Sequence, residues 1–142
     1  MSLDTWKAEF YKVDAQRVAP KNAADHSILK WRGLHPSNLK KHGLNMSDGI
    51  LCDNHNRRAL KINEDTCALC EHHARPGCIT CPLFAVRGGF ACDRRSPDEI
   101  NRELLTPYHA LKHTDDPRPM LLWLRRARKW QQNQQAKERT HD

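Results

Sequence analysis

The chain reads as a mainly helical α+β fold in which a short β-hairpin and a Cys-rich metal-binding loop pack on several helices. Three observations lead there. Helix starts and stops recur along the chain, the apolar period changes once to two-residue alternation between Gly49 and Asn63, and five of the six cysteines crowd into residues 67–92. A length of 142 residues is that of one ordinary domain. With 38% hydrophobic residues and a mean hydropathy of −0.85, its core is thin, and a structural metal is one way such a fold is held.

Taken in order, Ser2-Leu3-Asp4-Thr5 starts a helix whose Trp6, Phe10 and Tyr11 fall at helical spacing, and residues 13–20 break it. Residues 23–31 continue as a helix with Ile28, Leu29 and Trp31 apolar, ended by Gly33. His35-Pro36-Ser37-Asn38 restarts a short helix that Gly43 closes. Residues 49–53 and 59–63, joined by the polar link 54–57, then form a hairpin. A hairpin this small needs something to pack on.

Beyond the cysteines, Ser96-Pro97-Asp98-Glu99 carries a capping box, with Pro at the first helical position. Ile100, Leu104 and Leu105 are expected to supply that helix's apolar face. Pro107 interrupts it, and residues 108–111 form a separate turn. The last helix follows Pro117 and Pro119, with Met120, Trp123, Leu124, Ala127 and Trp130 on one stripe and Arg125, Arg126, Arg128 and Lys129 mostly off it. Residues 1–130 thus form a single metal-stabilised domain. Residues 131–142, QQNQQAKERTHD, form a frayed or disordered polar tail.

The opening MSLDTWKAEFYKVD has no apolar leader, and no stretch is long enough to cross a bilayer. A cytoplasmic protein without a membrane partner is expected. Reduced thiols at close spacing then favour metal binding over disulfides. The formal charge of +7 is uneven. Residues 1–66 carry 11 Lys/Arg against 8 Asp/Glu, residues 67–116 carry 6 against 7, and residues 117–142 carry 7 against 2.

Cys67-x-x-Cys70 and Cys78-x-x-Cys81 match the ligand pairs of zinc, because two intervening residues let both sulfurs reach one ion. Pro76-Gly77 can turn the chain back between the pairs. Zn2+ held by these four thiolates is the expectation, with Cys92 in reserve as a ligand. An iron–sulfur cluster is the lesser alternative, suggested by the Cys81-Pro82 step although the compact bacterial cysteine run is absent. Cys52 reads as a packing residue, and His72 and His73 as solvated or supporting groups. A thiol redox site lacks the βαβ surroundings it needs. A nuclease built on His35, His42 or His55 lacks a base, an orienting group and an open metal position. A non-enzymatic role is favoured.

The segments LKWRGLHPSNLKKHGL (29–44), LKINEDTCALC (60–70), CITCPL (78–83) and TPYHALKHTDDPRPMLLWL (106–124) resemble a family of small cysteine-rich bacteriophage and prophage proteins. That family's pattern runs KW-x-GL-x-P-x-NL-x-x-HGL, a CALC pair, a C-x-x-CPL pair, a further Cys after Gly, and a PM-rich helical end after SPYHA. Thr106 stands where the pattern has Ser. The resemblance implies a bacterial host cell and brings Cys92 into the metal pattern, but it implies no activity.

Two functions fit these observations. One is a zinc-binding accessory or regulatory protein that binds DNA or RNA through Arg125, Arg126, Arg128 and Lys129. The other is a zinc-scaffolded module for a host or phage protein, with Trp123 and Trp130 as anchors if they are exposed.

Overall fold

The computed structural model describes residues 1–74 and 77–140. They form α-helices around a small three-stranded antiparallel sheet, the mainly helical α+β class expected. Helix α1 (Leu3–Phe10) starts at Ser2, whose hydroxyl accepts the Thr5 N–H at 3.3 Å. Leu3, Trp6 and Phe10 turn one buried face inward, and the Trp6 indole donates to the Gly33 carbonyl at 2.9 Å. Two 3-10 turns (Ala15–Arg17 and Pro20–Asn22) make the expected break before α2 (Ala23–Arg32).

Gly33 follows α2 in ordinary right-handed conformation, so it is not the left-handed cap the sequence suggests. Its role is steric, since a Cβ there would stand 2.5 Å from the Phe10 ring. Helix α3 (Pro36–His42) does end on a left-handed glycine, Gly43, at φ 69°. Buried His42 ties α3 to α1 through Thr5 Oγ1 and Glu9, each at 2.9 Å.

The sheet holds one strand more than the hairpin read from sequence. Strand β1 (Asn45–Ser47) pairs with β2 (Ile50–Asp53), and β2 with β3 (Arg58–Lys61). Asp48 and Gly49 both take positive φ between β1 and β2, as a tight hairpin turn requires. Met46 and Leu51 face each other across the ladder and are buried. Asp53 closes the unit, accepting the Leu3 N–H at 2.9 Å and the Asn56 amide at 3.0 Å.

The second half is a run of short helices on one long one. Helices α4 (Ala68–His73), α5 (Pro82–Val86), α6 (Pro97–Asn101) and α7 (Pro107–Thr114) precede α8 (Arg118–Thr140). Pro occupies the first turn of α5, α6 and α7, where its missing N–H has no helical partner to lose. The turn expected after Pro107 is a full helix capped by Thr106. Helix α8 lies against α2, α5 and α7 through Met120, Leu121, Leu124 and Ala127. It continues past Trp130, where the sequence suggests a polar tail, as regular helix to Thr140; residues 141–142 lie outside the described residues.

One expected face is inverted. Ile100, Leu104 and Leu105 are 55%, 42% and 42% exposed, while Glu99 on the same segment is buried. The cause is Arg87, which grips both Glu99 oxygens at 2.9 and 3.0 Å and also donates to the carbonyls of Phe90 and Arg94. Helix α6 is only five residues long, so it cannot present both Glu99 and Ile100 inward.

Burial opposes the Glu99 charge, but hydrogen bonds from Arg87 and from the Ser96 backbone outweigh it and hold the carboxyl below its ordinary range. The contribution is therefore complete above the unfolded value and is lost as pH falls through the folded one. E99Q, which leaves a buried guanidinium uncompensated, is expected to cost about 3–5 kcal/mol at neutral pH. Urea unfolding across an acid pH series should show that the variant has also lost part of the wild-type acid sensitivity.

Candidate metal centre

Asn63 organises the approach to the first cysteine pair. Its side chain accepts the Asp65 N–H at 3.0 Å, and Thr66 Oγ1 accepts the Asn63 N–H at 3.2 Å, closing a 3-10 turn (Glu64–Thr66). Cys67 then stands at the cap of α4, where its sulfur accepts the Cys70 N–H at 3.3 Å. A sulfur thus does the work an oxygen cap usually does. The Cys70 thiol also donates to Cys67, and with the Lys30 charge and the Leu69 N–H this holds Cys67 below the ordinary thiol range despite burial. Cys70 is raised in return by the same hydrogen bond and by burial.

Gly77 and Cys78 both take positive φ, 72° and 70°, and carry the chain into the second pair. Pro76, the other half of the expected Pro-Gly turn, lies outside the described residues. Cys81 caps α5 ahead of Pro82. Burial pushes its thiol up to about 11, while the Leu83 and Phe84 N–H groups beyond the proline partly offset that push without closing to a capping bond.

Cys92 sits between α5 and α6, and its carbonyl accepts the Tyr108 N–H at 3.2 Å. Burial pushes its thiol to about 12. The Arg87 clamp on Phe90, Arg94 and Glu99 fixes the loop that carries it.

All five cysteines of residues 67–92 line one cavity of about 390 Å³, walled also by Leu69 of α4, Leu83 and Phe84 of α5, and Met120 and Leu124 of α8. The cysteines are free thiols. They surround the space without closing on one point: among the described residues no three His, Cys, Asp or Glu side chains are grouped as the ligands of a single ion.

The same cavity is lined by Lys30, only 1% exposed, whose ammonium donates to the Thr66 carbonyl at 2.5 Å. Burial lowers its proton affinity, and the neighbouring sulfurs of Cys67, Cys70 and Cys92 oppose that by favouring the charged form. The sequence reading passed over this residue. The available signal was its place on the stripe Ala23–Ser27–Lys30, a cation on the buried face of α2.

The other named residues lie as follows. Cys52 points away from the cavity, its thiol donating to the Ile50 carbonyl at 3.6 Å. His72 bonds the Val18 carbonyl at 2.6 Å. His73 reaches the cavity wall and holds Thr80 Oγ1 at 2.9 Å. Arg125, Arg126 and Lys129 are exposed on α8, while Arg128 is half-buried and pairs with Asp25 at 3.3 Å. Trp123 is half-buried between the guanidiniums of Arg87 at 5.3 Å and Arg126 at 4.7 Å. Trp130 is 37% exposed.

No family model, curated protein or solved structure matches the chain.

Lys30 costs stability when the cavity holds no anion and offsets thiolate charge when it does. Lys30→Met is expected to raise the thermal midpoint of chelator-treated protein.

Proposed function

We propose that this is a phage-type accessory protein of the bacterial cytoplasm in which a thiolate-bound metal fixes a nucleic-acid-binding helix. The observation that carries this reading is the double role of α8. Met120 and Leu124 wall the thiol cavity, while Arg125, Arg126 and Lys129 of the same helix face solvent. Residues 118–140 carry seven Lys/Arg and one Glu. A long helix with cations on its free side suits a phosphate backbone, whose counterions it would release on binding.

The thiols supply soft donors, and the neighbouring N–H groups and Lys30 offset their charge. The metal would draw α2, α4, α5 and the Cys92 loop onto α8 and so set the height and rotation of the basic face. No helix among the described residues is long and apolar enough to cross a membrane.

A second reading, a docking module for a host or phage protein, is favoured by the exposed Ile100, Leu104 and Leu105. Of the two tryptophans suggested as its anchors, Trp130 is exposed, whereas Trp123 is engaged by two arginines.

Fluorescence anisotropy with labelled duplex and single-stranded oligonucleotides at two salt concentrations tests the first reading. Binding should weaken as salt rises and after chelation. R125E/R126E/K129E should reduce the salt slope by about 0.9 per lost contact on duplex and about 0.7 on a single strand. Binding that is absent at low salt, or unchanged in the triple variant, removes the role assigned to α8.

A further inference from the structure

Helix α2 carries a charge into the interior of the fold. Lys30 is 1% exposed and lines the solvent-open cleft of about 390 Å³ between α2, α4, α5 and α8. An ammonium can donate three hydrogen bonds, and among the described residues that of Lys30 makes one, to the Thr66 carbonyl. Ser27 lines the same cleft one turn earlier on the same face of α2. It too is 1% exposed, and its hydroxyl is buried with no hydrogen-bond partner among the described residues. His73, on the same lining, has a buried Nε2 that is likewise unpartnered. Buried polar atoms are nearly always paired, so these open positions on one lining call for a partner from outside the chain.

The rest of the lining narrows the chemistry of that partner. Leu69, Leu83, Phe84, Met120 and Leu124 make an apolar wall. Clefts of about 300–1,000 Å³ with such walls and a few polar groups are where small molecules bind. Among the described residues Lys30 is the one Lys or Arg on the lining, so it can compensate a single negative charge. The second charge of a phosphate would be left buried and uncompensated, and the exposed carboxylates of Glu64 and Asp93 on the same lining oppose it. A monocarboxylate brings one charge, accepts from an ammonium and a hydroxyl together, and can carry an apolar body.

We propose that the cleft binds a small organic monocarboxylate, its carboxylate held by Lys30 and Ser27 and its apolar body laid against Leu83, Phe84 and Leu124. The site goes beyond the thiolate metal reading and does not depend on it, since none of its recognising groups is a cysteine.

The chain has three methionines, of which Met120 lines the cleft, Met46 is buried in β1 and Met1 is exposed. The full chain, kept reduced and isotope-labelled at the methionine methyls, is titrated with phenylbutyrate, phenylbutanol and phenylbutylphosphonate and followed by NMR. Phenylbutyrate should move the Met120 methyl saturably and leave those of Met1 and Met46 in place. It should bind about 10–100-fold more tightly than the alcohol, and K30M should erase that difference while keeping the alcohol's affinity. S27A, which leaves the cation intact, should weaken the carboxylate by about 2–10-fold. Far-ultraviolet circular dichroism reports whether each variant folds. No saturable Met120 shift with any of the three probes overturns the site. Alcohol binding as tight as carboxylate binding, or carboxylate affinity unaltered in folded K30M, overturns the assignment of the carboxylate to Lys30. Tighter binding of the phosphonate overturns the match to a single charge. Zinc and iron measured on the same samples report on the metal centre separately, so either reading can fail alone.

Discussion

Lys30 is a cation with almost no water around it, and it answers to groups from several parts of the chain. Its ammonium has one backbone acceptor, the Thr66 carbonyl, lies 6.0 Å from the centre of the Trp31 ring, and is drawn by the sulfurs of Cys67, Cys70 and Cys92. An isolated buried ammonium is costly, and so is a cluster of buried thiolates; placed together, each lowers the cost of the other. The arrangement explains why a cation can sit on the inner stripe of α2. After the hydrogen bond from Cys70, it is also what lets Cys67 give up its proton more readily than a buried thiol otherwise would.

The second organising interaction is Arg87. It is almost wholly buried, bonds Glu99 in fork geometry, and lies over the ring of Trp123. One guanidinium thus joins the end of α5, the Cys92 loop, α6 and the last helix. A buried pair of this kind adds less to net stability than its geometry suggests, but it defines which side of α6 turns inward. Ile100, Leu104 and Leu105 are left outside as a result.

Several signals that act within a few residues stand in the structure where the sequence puts them. The Ser2 and Ser96 caps, Pro36 and Gly43 each act within a few residues, and each is where the spacing puts it. Strand β1 escapes because its alternation, Asn45-Met46-Ser47, lasts only three residues, although Asp48-Gly49 marks its turn. Gly33 was noticed for a conformational reason and is needed for a contact with Phe10, twenty-three positions earlier in the chain. The α6 face was misread because Arg87 lies twelve residues from Glu99, beyond the reach of any helical period. At the cavity, the two Cys pairs were visible from spacing. The inclusion of Cys92 on residue grounds and the presence of Lys30 were not, since both depend on how α2 and α8 close over α4 and α5.

That closure has a consequence for the order of events in the cell. The cavity wall runs from Ser27 to Leu124, so no shorter stretch of chain contains it. During synthesis the cysteines leave the ribosome well before Met120 and Leu124, and they spend that interval without their last wall. Pairings of such sequence separation form late because loop entropy must be met first. The thiols are thus most open to oxidation while the chain is still being made. The final helix closes the vault only after translation is nearly finished.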